Sequence, residues 1–245
     1  MKTTELLAQA QTPDGTVLSL TRRDDEFVIL ANGKGLMSSR LYGSEQALAE
    51  LGCRRARTQK KPCVLIGGLG MGFSLRAALA ILPKDAQVVV AELVPAVVEW
   101  NRGPLGHLAG NPLLDERVRI EICDVAELLQ KSSARFDAIL LDVDNGPSAF
   151  TAPENDKLYS PRGLRAARAA LRPGGTLAVW SAGEDHSFER RLAQLGFVVA
   201  VERVRARLKQ GGPRHLIFLG HKPLPCNAPT PVRTLARTPV RTQSR

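Results

Sequence analysis

From residue 63 onward the chain alternates short apolar runs with amphipathic stretches, a pattern that predicts repeated strand–helix units. C-V-L-I (63–66), Q-V-V-V-A (87–91), V-R-I-E-I (118–122), F-D-A-I-L-L (136–141) and T-L-A-V-W (176–180) read as strands. Between them, S-L-R-A-A-L-A-I-L (74–82) has helical composition and stops before Pro83. P-A-V-V-E-W (95–100) starts on a first-turn proline, and V-A-E-L-L-Q (125–130) follows the third strand. Ser160-Pro161 opens a helix through Leu171, stopped by Arg172-Pro173-Gly174-Gly175. A helix near 187–195 ends at Gly196, and F-V-V-A-V-E with R-H-L-I-F-L closes the sheet as a hairpin. Strands joined through helices imply right-handed crossovers and a mainly parallel α/β sheet covered on both faces.

Residues 1–62 differ. T-V-L-S-L-T and E-F-V-I-L-A flank Arg22-Arg23-Asp24-Asp25, a hairpin signal, and a short helix follows at 44–51. The expected organisation is an N-terminal β-hairpin region at 1–62, a main domain at 63–221 and a tail at 222–245. The tail holds Lys222, Arg233, Arg237, Arg241 and Arg245 and no acid, with a doubled P-V-R-T. Its Pro/Thr/Arg bias cannot build a core, so it is expected to be disordered. It supplies half of the net charge of +10, leaving a mildly basic body. Four cysteines at 53, 63, 123 and 226 form no C-x-x-C pair. With no apolar leader and no long apolar span, this points to a cytoplasmic protein without a membrane partner.

In an open parallel sheet, ligands bind beyond the carboxyl ends of the strands. After the first strand of the repeat comes I-G-G-L-G-M-G-F-S, with Gly67, Gly68, Gly70 and Gly72, a turn able to approach a ligand closely. Phe73 stands where a dinucleotide fingerprint needs glycine. Glu92 ends the second strand and suits a ribose. Asp124, before Val125, ends the third and either reaches an adenine or simply caps the next helix. The fourth ends in L-L-D-V-D-N-G-P, and residues 142–159 carry Asp142, Asp144, Glu154 and Asp156 against Lys157. Glu184 and Asp185 follow the fifth. An acidic rim on a basic protein points to a cationic or amine-bearing ligand and away from nucleic acid. The four histidines, 107, 186, 215 and 221, show no ligand spacing, and His186 alone is expected near this rim.

I-G-G-L-G-M-G-F-S-L-R, V-A-E-L, C-D-V, F-D-A-I-L-L-D-V-D-N-G-P and A-L-R-P-G-G-T-L-A-V together resemble the spermidine synthase (polyamine aminopropyltransferase) family. That resemblance covers residues 63 to about 220. It implies the class I S-adenosylmethionine-dependent methyltransferase fold, a Rossmann-like three-layer sandwich with a seven-stranded, mainly parallel sheet. It also implies S-adenosylmethionine or its decarboxylated form as co-substrate, no metal, and a homodimer. Gly67, Gly68, Gly70, Gly72, Glu92, Asp124 and Val125 would hold the donor, and Asp142 would orient and deprotonate the acceptor amine. Asp144, Asn145, Tyr42 and Glu45 are the candidate acceptor-binding residues.

The chain departs from the family pattern at three places. Met71 replaces the glycine-loop aspartate that faces the donor's free amine, Asn145 replaces the second aspartate of D-x-x-D-P, and L-M-S-S-R-L-Y-G-S-E replaces Y-H-E. These departures tip the expectation toward methyl over aminopropyl as cargo. A non-catalytic adenosyl-metabolite-binding protein, and an RNA methyltransferase using the Arg-rich tail, remain open as alternatives.

Overall fold

The computed structural model describes residues 3–143, 147, 155–207 and 212–225 of the 245, with 155 and 156 described in backbone only. The segment containing Asp144, Asn145 and Glu154, and the tail beyond residue 225, lie outside the described residues.

The N-terminal region is a four-stranded antiparallel sheet, β1 (Glu5–Gln11), β2 (Val17–Arg23), β3 (Glu26–Ala31) and β4 (Lys34–Ser38), in that order. The expected hairpin is β2–β3, turning through Asp24 at φ 54°. The two further strands went unpredicted for opposite reasons. β1 is built from Leu, Ala, Gln and Glu, all good helix formers. β4 carries an interior glycine, which weakens a strand signal. Leu18, Leu20, Phe27 and Ile29 of this sheet are buried in the same core as Leu48, Ile66 and Leu75, so the two sheets share one hydrophobic interior.

Helix α1 (Gly43–Gly52) leads into the main domain. There β5 (Cys63–Gly67), α2 (Phe73–Ile81), β6 (Gln87–Glu92), α3 (Pro95–Arg102), β7 (Val118–Ile122), α4 (Val125–Gln130) and β8 (Phe136–Leu141) alternate. They are followed by α5 (Asn155–Tyr159), α6 (Pro161–Ala170), β9 (Leu171–Ser181), α7 (His186–Gln194), β10 (Val198–Arg205) and β11 (Arg214–His221). The strands lie in the order β10–β11–β9–β8–β5–β6–β7. Strands β5 to β9 are parallel, and β11 runs antiparallel to both β9 and β10. β9 begins at Leu171 and takes up the Arg-Pro-Gly-Gly run that the sequence assigned to a helix stop.

Val64, Leu65, Ile66, Ala138, Ile139, Leu140 and Leu141 have no solvent exposure, because helices cover both faces of the central pair β5 and β8. Each large side chain buried there stabilises the fold by about 1.5–3 kcal/mol. The fit is tight where α1 crosses the sheet: a Cβ on Gly52 would sit 2.2 Å from Leu140 Cδ2. Among the described residues, no helix is long and apolar enough to cross a membrane.

Candidate active site

The reversal of strand order between β8 and β5 opens the sheet at its carboxyl edge, and four chemistry-bearing segments line up there. The Asp142 segment, the glycine turn, Glu92 and Asp124 follow the adjacent strands β8, β5, β6 and β7.

The glycine turn is shaped by positive backbone angles at Gly68 (φ 86°), Gly70 (φ 53°) and Gly72 (φ 79°). It has no room for side chains. A Cβ on Gly68 would lie 2.6 Å from the Asp142 carbonyl oxygen, and one on Gly70 would lie 2.7 Å from Met37 Cε. The turn and the end of β8 therefore pack backbone against backbone, and the Asp142 N–H donates to the Gly67 carbonyl at 3.0 Å. Asn101 in α3 holds the turn from below, its Nδ2 donating to the Gly70 carbonyl at 2.8 Å. Its Oδ1 is buried with no hydrogen-bond partner among the described residues. Nothing in the sequence marked Asn101, one polar residue on the face of an amphipathic helix.

Glu92 is buried and does structural work as well as presenting a carboxylate. Oε2 accepts the Leu69 N–H at 2.8 Å and Oε1 accepts the Val94 N–H at 2.9 Å. Each carboxylate oxygen can accept a second hydrogen bond, so the geometry suits a ribose while fixing the turn. Asp124 is the N-cap of α4 and accepts the Ala126 N–H at 2.7 Å, as the capping alternative had it. Val125 is buried against Gly67, where an added Cβ would come within 2.9 Å of Val125 Cγ2.

Asp142 is partly buried, and its Oδ2 accepts the Ser74 hydroxyl at 2.7 Å. Burial pushes its carboxyl up to about 6, against the Ser74 hydrogen bond. Glu45, in the first turn of α1, is buried beside it. Burial and the Asp142 charge together raise Glu45 to about 7. Among the described residues, no Lys or Arg holds either carboxyl down. The Ser44 hydroxyl donates to Glu45 Oε2 at 2.7 Å, and His215 Nδ1 lies 3.0 Å from Ser44 Oγ. With Glu45 ionised, the single Ser44 proton goes to it, so His215 must donate through Nδ1. Desolvation holds His215 below its ordinary value, and its ring meets Trp180 edge-on at 4.6 Å. Tyr42 precedes α1, stacks on Phe73 at 4.6 Å, and has the Arg76 guanidinium 5.0 Å from its ring centre.

The structure thus brings Glu45 to Asp142, as a buried residue of the first turn of α1. It also corrects the expected acidic rim and adds a residue to the carboxylate network. His215, which the sequence did not single out, joins the carboxylate network, because β11 runs antiparallel and its start reaches the edge that the other strands reach with their ends. His186 does follow the end of β9, as the first residue of α7. His186 is exposed and sits 3.0 Å from Glu189. Glu184 and Asp185 do not form an open acidic rim: Glu184 pairs with Arg203, while Asp185 caps α7 and lies 3.6 Å from Arg191. Met71 is buried in the core with 1% exposure, so the position of the missing acid is apolar as well as uncharged.

A seven-stranded sheet of this order, with a glycine turn, a strand-end glutamate and a strand-end aspartate beside the switch point, defines the class I S-adenosylmethionine-dependent methyltransferase fold. Within that class, the spermine/spermidine synthase domain model matches residues 45–194, and the chain belongs to that family. The polyamine aminopropyltransferase of Mycobacterium tuberculosis (strain CDC 1551 / Oshkosh) is 30% identical over 171 residues, 69% of this chain and 31% of that protein. The match therefore spans about a third of the length of that curated relative. Spermidine synthase from Thermotoga maritima superposes with a TM-score of 0.69 at 20% identity, covering 89% of this chain and 73% of that one. A spermidine synthase solved in complex with the transition-state analogue AdoDATO gives 0.68 at 19%, with the same coverage.

Proposed function

We propose that the chain transfers an aminopropyl group from decarboxylated S-adenosylmethionine to an amine-bearing small molecule. The observation that carries this reading is the Asp142–Glu45 pair: two carboxyls buried side by side, both raised, with no protein cation between them among the described residues. A pair of acids in that state favours a cationic amine as its missing partner. The family membership and the name of the Mycobacterium tuberculosis relative support aminopropyl as cargo and give the methyl expectation no support. Neither the sensor reading nor the RNA methyltransferase reading is favoured by them.

The donor supplies a sulfonium leaving group, so the chain's own task is to orient a nucleophile and manage one proton. Gly68 and Gly70 give the turn the shape on which the donor would lie, and Glu92 would accept its ribose hydroxyls. Asp142 aligns the acceptor amine and takes its proton as the nitrogen–carbon bond forms and the carbon–sulfur bond breaks, releasing the nucleoside as a neutral thioether. The Ser74 hydroxyl, 2.7 Å away, keeps the Asp142 carboxylate oriented. Methyl transfer from S-adenosylmethionine is the second reading, kept because Met71 stands where the resemblance puts the acid specific to aminopropyl transfer.

Incubating the protein with each donor and a panel of polyamines, then weighing the products, tests both. A product heavier by one aminopropyl group supports the first reading, and one heavier by a methyl supports the second. No product with either donor across a broad panel overturns the assignment of Asp142.

A further inference from the structure

At the opposite edge of the sheet, where the parallel strands begin, the loop after α1 and the start of β9 enclose a cavity of about 680 Å³. Its wall carries Arg54, Arg55, Lys60 and Arg172, with Asp137 as its one acid and Leu224 at its rim. Asp137 is already engaged: Oδ2 pairs with Arg172 at 2.6 Å and accepts the Cys63 N–H at 2.8 Å. Arg55 makes one long contact, 3.4 Å to the Gly174 carbonyl. Among the described residues, the side chains of Arg54 and Lys60 make no ion pair or hydrogen bond, and the Arg54 backbone N–H donates to the Leu51 carbonyl. The positive field is felt by a neighbour, since burial and then the charges of Arg55 and Arg54 hold His221 below its ordinary value.

Concentrated charge of one sign in a concavity attracts a counter-ion of the other sign. Nothing in an amine-alkylating site accounts for it, because the two edges face apart and an amine would be repelled here. The volume lies within the range of small-ligand sites, about 300–1,000 Å³. Planar guanidinium groups match phosphate oxygens two at a time, and lysine adds a point charge.

We propose that this cavity binds a small phosphoanhydride anion, a di- or triphosphate, through Arg54, Arg55, Lys60 and the free face of Arg172. Its chemistry is that of a pyrophosphate or triphosphate group, whether free or carried by a nucleotide. An extended polynucleotide is disfavoured because the basic residues surround one cavity and do not follow a groove.

The test titrates the full chain with inorganic pyrophosphate, inorganic triphosphate and GTP by calorimetry at about 0.15 M salt, where longer-range charge effects are screened. Saturable binding at one site per chain is expected, weakened by about tenfold or more in Arg54→Gln/Lys60→Gln. Those two side chains hold nothing else in place, so the double variant should melt like the parent. Asp142→Asn should bind the anions as the parent does. Tighter binding of GTP than of triphosphate would identify a nucleotide as the source, and equal binding would identify the free anion. Absence of saturable binding overturns the proposal, as does binding indifferent to the double variant or abolished by S-adenosylmethionine. A single-stranded RNA bound more tightly than any of the three overturns it in favour of a polynucleotide.

Discussion

The two edges of the main sheet carry opposite chemistry. At the carboxyl edge, Asp142 and Glu45 crowd together without a cation among the described residues, each raising the cost of ionising the other. At the amino edge, Arg54, Arg55, Lys60 and Arg172 crowd together with one acid, and that acid is already bonded. The same burial that would be expensive for an isolated charge is made tolerable differently at each edge. The carboxyls retain a proton to higher pH, an option closed to guanidinium groups, so the arginines stay at the surface in water. The raised carboxyls are therefore a property of the first edge.

The largest separation between the edges should come from Asp142→Asn. We expect kcat/KM to fall by about 10²–10⁴-fold while donor affinity changes little, measured by product mass and donor calorimetry. A loss of less than tenfold would remove Asp142 from proton transfer. Gly68→Ala comes next. Its Cβ would press on the Asp142 carbonyl at 2.6 Å from a φ of 86°, costing about 1–3 kcal/mol in urea unfolding and disturbing turnover as well. Gly35, with open space around it, should tolerate alanine within about 0.5 kcal/mol.

Asp137→Asn should destabilise by about 1–3 kcal/mol, since it weakens the bond to Arg172 and the acceptor for the Cys63 N–H. Turnover per folded molecule should stay unchanged, and a matching loss of activity would show that the edges are coupled.

The gentlest effect is on pH. Asp142 and Glu45 are raised from 3.8 and 4.5 to about 6 and about 7. Between those limits the folded state holds more protons than the unfolded chain. Their contribution is fully present below about 4 and is lost as pH rises through about 6 and then about 7. Urea midpoints should fall across that window, and Glu45→Gln should flatten the fall. The acidic limb of kcat/KM should stay near 6 in Glu45→Gln, because glutamine mimics the protonated acid.

What was legible in the sequence was whatever a parallel strand writes at its end. Gly68, Glu92, Asp124 and Asp142 each follow an apolar run, and the fold aligns them in the expected order. What escaped was delivered by other geometry. His215 opens an antiparallel strand, so its position relative to its own strand pointed to the wrong edge. Ser44 and Ser74 are first-turn helix residues whose contacts depend on how α1 and α2 meet, which no local pattern encodes. Arg172 read as part of a helix stop, and Arg54-Arg55 carried no local signal. Only the placement of β9 beside the loop after α1 turns them into one basic wall.

Helix α1 rests on Leu140 with no slack at Gly52. Its first turn supplies Ser44 and Glu45, and the chain just past its last residue supplies Arg54 and Arg55. Ten residues make a strut of about 15 Å, and its dipole already favours an anion at the first end and cations at the second. Sliding this rod along the sheet would misplace both clusters at once. The spacing between them is thereby calibrated by a contact too small to admit a methyl group, beyond the reach of any change in the loops.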